Sequence, residues 1–208
     1  MFDIAKAMVK HEPVLSDRIR IFRKSMEVKG DETSFYRTIS SDALTNHGFN
    51  AHAFIIDELH AQPDRELVDT LETSVGARKQ PLKIYITTAD WKRESICNEK
   101  YNYAKAVRAG RHATPVFDFL PVIFEASIED DWRDDKVWAA ANPAYGVSID
   151  REFFQKQCEK AVNSPAYENT FKRLLLNIQT EQDVKWLNSF KWDGCATTQN
   201  SIDWRAEQ

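Results

Sequence analysis

The sequence predicts an α/β fold: a mainly parallel sheet flanked by helices, followed by a helical hairpin that serves as a linker. Three observations carry this expectation. Two apolar runs of strand length, Ala53-Phe54-Ile55-Ile56 and Ile84-Tyr85-Ile86-Thr87-Thr88, stand on either side of one amphipathic helix. Strand, helix and strand within about 35 residues make a βαβ unit, whose right-handed crossover sets its two strands parallel. Beyond Trp138 the alternation gives way to helical spacing alone.

In chain order, Phe2, Ala5, Met8 and Val9 fall at helical spacing, and Pro13 is expected to end that first helix at His11-Glu12. Arg18 to Phe22, Met26 to Lys29 and Phe35 to Ile39 read as short strands or hairpins around the Gly30-Asp31 turn signal. The Ala53 run reads as a strand buried on both faces. The helix after it is expected to begin near Pro63, to carry Leu67, Leu71 and Val75 as its stripe, and to close at Gly76. A further helix is expected from Trp91 to Ala109, then an edge strand or bulge over Val116 to Phe124, broken by Pro121. The acidic residues 129–131 and 134–135 read as a solvated loop. Phe154, Cys158, Ala161 and Val162 stripe one late helix, and Ser164-Pro165 starts a second that carries Phe171, Leu174, Leu175 and Ile178. Trp186, Phe190, Trp192 and Trp204 lie in a stretch without periodicity and read as docking aromatics.

With 208 residues, 42% hydrophobic and 29% charged, the chain is globular material with room for one good-sized core. A net charge of -4 gives no overall basic signature, so contact with nucleic acid would need a local patch. The three cysteines, Cys97, Cys158 and Cys195, are far apart and odd in number, which suits a reducing, intracellular setting and no zinc knuckle. No apolar run approaches a membrane span and no signal-peptide centre is present, so a soluble protein without membrane contact is expected.

Chemistry concentrates where the first parallel strand ends. Asp57 and Glu58 follow Ile56 directly, and ligands of open parallel sheets sit at the carboxyl ends of the strands. This is the arrangement of a Walker B motif, in which the first acid helps hold Mg²⁺ on a nucleotide and the second orients or deprotonates a water. A solvated strand end is the plainer alternative. His47, His52, Asp57, Glu58 and His60 also raise a metal site, but the spacing does not match the metalloprotease helix. His52 and His60, at opposite ends of the strand, would stand about 20 Å apart. A nucleotide-borne Mg²⁺ fits these residues better than an all-protein transition-metal cage.

Asp57-Glu58-Leu59-His60 fits the D-E-x-H form of nucleic-acid-stimulated ATPases, and Thr87-Thr88-Ala89 stands where such motors keep a hydroxyl-rich coupling strand. Together, His47-Gly48-Phe49-Asn50, Ile55-Ile56-Asp57-Glu58-Leu59-His60-Ala61, Gly76-Ala77-Arg78-Lys79-Gln80-Pro81-Leu82 and Ile86-Thr87-Thr88-Ala89 resemble the ATPase half of tailed-bacteriophage terminase large subunits. The resemblance covers roughly residues 1–192. It implies a P-loop ATPase of the additional-strand class joined to a nuclease, a DNA-packaging motor acting on an empty procapsid in the host cytoplasm. Its implied partners are double-stranded viral DNA, portal protein, the terminase small subunit and sister large subunits, and its implied cofactors are ATP and Mg²⁺. Carried onto this chain, Asp57 is the Mg²⁺ acid, Glu58 the catalytic base and Thr87-Thr88 the coupling motif. Arg78 is expected between two elements of the same rim, facing a γ-phosphate of its own or a neighbouring subunit, with a surface arginine as the alternative.

The same resemblance implies that residues 1–130 are the Walker B half of the ATPase domain. Residues 131–208, with Asn142-Pro143 and the Leu174 to Asn177 helix, then form the helical linker toward a nuclease domain outside the chain. No G-x-x-x-x-G-K-[ST] occurs in the sequence, and Gly30, Gly48 and Gly76 are too dispersed for a phosphate cradle. The cradle strand is expected upstream of residue 1. The chain alone is therefore expected neither to bind ATP tightly nor to hydrolyse it, and its unpaired sheet edge is expected to self-associate, to add a rearranged strand of its own or to need an upstream polypeptide. Two other readings remain: a fragment of a D-E-x-H helicase, and a non-enzymatic module that contacts DNA or portal.

Overall fold

The structure is a computed structural model that describes residues 2–39, 48, 50–112 and 114–181. His47, Phe49, Trp186, Phe190, Trp192, Cys195 and Trp204 lie outside these. The described residues gather around three separate apolar clusters in chain order.

The first is small. Helices α1 (Phe2–His11) and α2 (Pro13–Arg18) lead into an antiparallel sheet of β1 (Ile19–Ile21), β2 (Ser25–Val28) and β3 (Asp31–Arg37), in the order β1-β2-β3. Pro13 begins α2 as well as limiting α1, because its missing N–H falls in a first turn that has no intrahelical acceptor. Phe2, Val9 and Met26 form the cluster, with the rings of Phe2 and Tyr36 5.3 Å apart.

The second cluster belongs to the βαβ unit. Strand β4 (Ala53–Ile56), a 3-10 turn (Leu59–Ala61), α3 (Glu66–Ser74) and β5 (Leu82–Tyr85) follow, and β4 pairs with β5 in parallel, Ile55 opposite Ile84. Phe54, Ile56, Leu59, Val68, Leu71 and Val75 pack with Ile96 and Cys97 of α4 (Ile96–Arg108). The expectation that β4 is buried on both faces is corrected here. Ile55 is 42% exposed and Leu82 56%, because the described helices cover one face of the pair only. Among the described residues β4 and β5 form a two-stranded sheet. Thr87 and Thr88 lie just past β5 rather than inside it, although Ile86 still donates to the Ile56 carbonyl at 2.9 Å.

Helix α3 starts at Glu66, later than Pro63, because the chain first makes its 3-10 turn and Asp64 Oδ1 then accepts from the Glu66 N–H at 2.9 Å. Helix α4 starts at Ile96 rather than Trp91. Ser95 caps it, accepting from the Asn98 N–H at 3.2 Å, and residues 89–95 form a loop instead. The strand expected over Val116 to Phe124 is not formed: Phe117 is 93% exposed and Leu120 86%, and no ladder partner lies beside them among the described residues.

The third cluster joins Ala126 to α5 (Asp135–Ala141), α6 (Arg151–Asn163) and α7 (Pro165–Leu176) through Trp138, Ala141, Tyr145, Phe154, Cys158, Ala161, Phe171, Leu176 and Ile178. Val162, expected in the buried stripe of α6, is exposed. Part of the acidic run starts a helix: Asp134 caps α5 by accepting from the Lys136 N–H, and Asp135 accepts from the Tyr145 hydroxyl. Burial and the neighbouring Asp135 push that hydroxyl up to about 12. Asn142 ties α5 to α7 by donating to the carbonyls of Trp138 and Leu175 at 3.0 and 2.8 Å.

Candidate functional site

At the end of β4 the backbone makes an abrupt turn. Asp57 Oδ1 accepts the Glu58 N–H at 3.1 Å, and Glu58 itself sits in the left-handed region, φ 55° and ψ 51°. A residue with a Cβ pays about 1 kcal/mol or more for that conformation. The turn folds the chain across the end of β5: the Leu59 N–H reaches the Ile86 carbonyl at 3.1 Å, and the Leu59 side chain plugs the core below. His60 is thereby delivered to the threonines.

Its backbone N–H donates to Thr87 Oγ1 at 3.0 Å. Its ring Nδ1 lies 3.1 Å from Thr87 Oγ1, 3.3 Å from Thr88 Oγ1 and 3.2 Å from Glu58 Oε2. Glu58 and the threonine pair thus meet at one rim through a histidine, with Asp57 next to Glu58 at the end of β4. Asp57 and Glu58 stay exposed, and His60 is partly buried beneath them.

Behind the rim is a buried acid. Asp90, 4% exposed, accepts from Arg93 Nε at 2.8 Å, Ser95 Oγ at 3.0 Å and the Trp91 N–H at 2.9 Å. Arg93 Nη2 also donates to the His60 carbonyl at 3.1 Å, so both ends of the His60 peptide backbone are held. The Cys97 sulfur lies 3.6 Å from Thr87 Oγ1, and burial pushes its thiol up. Farther back, Glu72 accepts from Lys100 at 2.6 Å and from the Tyr85 hydroxyl. Burial alone raises the Glu72 carboxyl, but those two donors outweigh it and leave the group below its ordinary value. Burial, then the Glu72 carboxylate, drives the Tyr85 hydroxyl well above the usual phenol range.

Asp57, Glu58, Thr87 and Thr88 are therefore together, and Arg78 is not among them. Arg78 Nη2 donates to the Asn50 carbonyl at 2.8 Å, at the amino ends of β4 and β5, where Leu82 N–H also meets the His52 carbonyl. Four strand residues, or about 13 Å, separate that edge from the acids. The expected position of Arg78 on the same rim is corrected: the turn after α3 falls at the start of β5, and the acids at the end of β4. His52 and His60 likewise lie at opposite ends, and no group of three metal-ligating side chains occurs among the described residues.

The donor set suits one kind of metal. Mg²⁺ keeps several waters and takes one or two carboxylates plus phosphate oxygens, so a single exposed Asp57 at the end of β4 fits a nucleotide-borne ion. The role of His60 as the connecting group, and of Asp90, Arg93 and Ser95 as its support, was not read from sequence. The D-E-x-H spelling points to His60; residues 91–95 fall in the first turns of the helix expected from Trp91.

Comparisons with known proteins match two consecutive parts of the chain. The family model for the terminase large subunit ATPase domain matches residues 1–106, and that for the terminase large subunit endonuclease domain matches residues 114–206. Protein YmfN of Escherichia coli (strain K12) is 34% identical over 148 residues, 71% of this chain and 32% of that protein. The large subunit of the terminase of Enterobacteria phage HK97 is 27% identical over 201 residues, 94% of this chain and 38% of that protein. The crystal structure of the HK97 bacteriophage large terminase superposes with a TM-score of 0.74 at 27% identity, covering 86% of this chain and 36% of that one. The chain thus spans about a third of the length of these relatives.

Proposed function

Since this chain belongs to the terminase large subunit family, we propose that it is a portion of an ATP-driven motor that packages viral DNA into procapsids. The observation that carries this reading is the meeting of Glu58, Thr87 and Thr88 about His60 at the carboxyl rim of a parallel strand pair, with Asp57 directly before Glu58. Asp57 would hold Mg²⁺ through its exposed carboxylate. The bound ion would neutralise charge on the triphosphate. Glu58 would take the proton of the attacking water, and its exposed position leaves it free to turn toward one. Thr87 and Thr88 would carry the state of the site into the loop at residues 89–95. Arg78 has no part in this set within the chain; its hydrogen bond to Asn50 supports a structural role.

Residues 1–130 would form the Walker B half of the ATPase domain, and the helices beyond 131 would connect it to the rest of the polypeptide. Double-stranded DNA, portal protein, the small subunit and sister large subunits are the partners of the complete motor, in the host cytoplasm. No described helix is long and apolar enough to cross a membrane. The edges of β4 and β5 that are unpaired among the described residues, with Ile55, Leu82 and Ile86 exposed, support self-association or pairing with another polypeptide segment.

A phosphate cradle makes several hydrogen bonds to charged oxygens at roughly 1.5 to 3 kcal/mol each, against about 8 kcal/mol for micromolar binding. This chain is therefore expected to show no micromolar binding of ATP with Mg²⁺ by calorimetry. Joined with a segment that supplies the Walker A loop, Glu58→Gln is expected to abolish turnover while ATP binding persists. Turnover that survives this substitution would overturn the assignment of Glu58.

A further inference from the structure

We propose that the outward face of the antiparallel sheet β1-β2-β3 is a platform for single-stranded DNA. The register of the sheet sorts its side chains onto two faces. Ile21, Met26 and Tyr36 stand opposite one another across the three strands, and with Ile19 they face Phe2 and Val9 of α1. The residues between them share the other face. One row across it is Arg20, Glu27 and Phe35. The next is Phe22, Ser25 and Arg37, extended past the end of β1 by the Phe22 N–H, which donates to the Ser25 carbonyl at 2.8 Å.

Each outer strand thus carries one aromatic ring and one arginine, with like residues at opposite corners about 12 Å apart by strand spacing and rise. The middle strand offers only Ser25 and Glu27, both half-buried. Phe22 and Phe35 are 42% and 55% exposed, although phenylalanine is a residue of interiors. Arg37 holds its guanidinium over the Phe35 ring, 5.4 Å from the centroid. Arg20 and, in the turn between β1 and β2, Arg23 and Lys24 are exposed and make no side-chain ion pair among the described residues. These four cations stand against Glu27 on a chain of net charge -4, and they form the local basic patch that contact with nucleic acid needs.

Cations alone would serve a duplex equally well. The exposed rings decide between the two. A base in a duplex keeps its π-face inside the stack, whereas an unpaired base lays it on Phe22, on Phe35 or on the Arg37 guanidinium. Glu27 is an acceptor only, so it turns phosphates toward the arginines and leaves the bases over β2. The choice of DNA over RNA rests on the proposed function; the face itself does not, and none of its residues belongs to the ATP site.

The test is fluorescence anisotropy of a labelled oligothymidylate of about twelve residues, titrated with this chain between about 50 and 200 mM salt. Saturable binding is expected, tighter than to a duplex of equal length, with a salt slope of about 0.7 for each phosphate neutralised. Phe22→Ala and Phe35→Ala should each weaken binding about fivefold or more and leave that slope in place. Arg20→Gln with Arg23→Gln should lower the slope by about 1.4. Lys156→Gln, which removes an exposed cation of α6, should change neither. Should Phe35→Ala fail to fold, Phe35→Leu, which keeps an apolar side chain without a π-face, decides in its place. The proposal is overturned by a duplex bound as tightly as the single strand, by ring removal without effect, by tighter binding of oligouridylate, or by no saturable binding at the lower salt. No ATP is added, so failure here leaves the ATP-site reading standing, and failure of ATP turnover leaves the binding result standing.

Discussion

Asn98 is the residue whose loss should be felt farthest from its own position. It lies buried in the first turn of α4, and its side-chain amide donates to the Trp91 carbonyl at 2.9 Å and the Arg93 carbonyl at 2.8 Å, while its Oδ1 accepts from Gln179 Nε2 at 2.8 Å. It therefore shapes the loop behind the rim and ties it to the chain leaving α7, a tie repeated where the Lys92 N–H meets the Thr180 carbonyl at 2.7 Å. Asn98→Ala deletes three hydrogen bonds at about 1 kcal/mol each and strands two carbonyls. The better helix propensity of alanine returns roughly 0.6 kcal/mol. The net expectation is a loss of about 2 to 3 kcal/mol, read as a thirty- to two-hundredfold loss of amide exchange protection in α4. A cycle with Gln179→Ala should show a coupling of about 1 kcal/mol, because the two side chains share one bond. Protection changed less than about threefold, with an additive cycle, would refute the claim that this node holds loop and helix together.

Other outcomes follow from the same structure. Phe154→Ala or Phe171→Ala, each fully buried in the C-terminal cluster, should cost about 3 to 5 kcal/mol in denaturant unfolding of that cluster. Glu72, titrating below its ordinary 4.5, contributes stability that is present above that value and lost as pH falls through its lowered folded value; Glu72→Gln should flatten this acid slope in unfolding experiments. Glu58→Gly should relieve the left-handed turn and raise stability by about 1 kcal/mol in thermal unfolding, though it removes the acid. Ile55→Lys with Leu82→Lys, which charges the uncovered face of β4 and β5, should lower the apparent mass by light scattering if association uses that face.

Where the sequence pattern was periodic, it was legible. Helices α3, α6 and α7 appear with most of their apolar residues inward, because a 3.6-residue period needs only one core to face. The antiparallel strands around Gly30 and the parallel pairing of β4 with β5 followed from turn residues and from crossover handedness. The segment from Val116 to Phe124 has the composition of a strand without the ladder of one, because a strand is completed by a neighbour and composition does not supply it. Residues 91–95, expected as helix, are loop for a related reason: buried Asp90 recruits Arg93, Ser95 and the Trp91 N–H, and local helix preference does not register such a bond network.

The sequence by itself determined that two acids end one strand, that two threonines follow its neighbour, and that no phosphate loop lies in between or elsewhere in the chain. Those are facts of order and spacing along a single strand direction. Only the tertiary structure decided that His60 joins acids to threonines and that Arg78 belongs to the far edge. Both depend on where the backbone crosses after each strand. The left-handed turn at Glu58 carries His60 over the end of β5, and the turn before Leu82 leaves Arg78 bonded to Asn50, about a strand's length away.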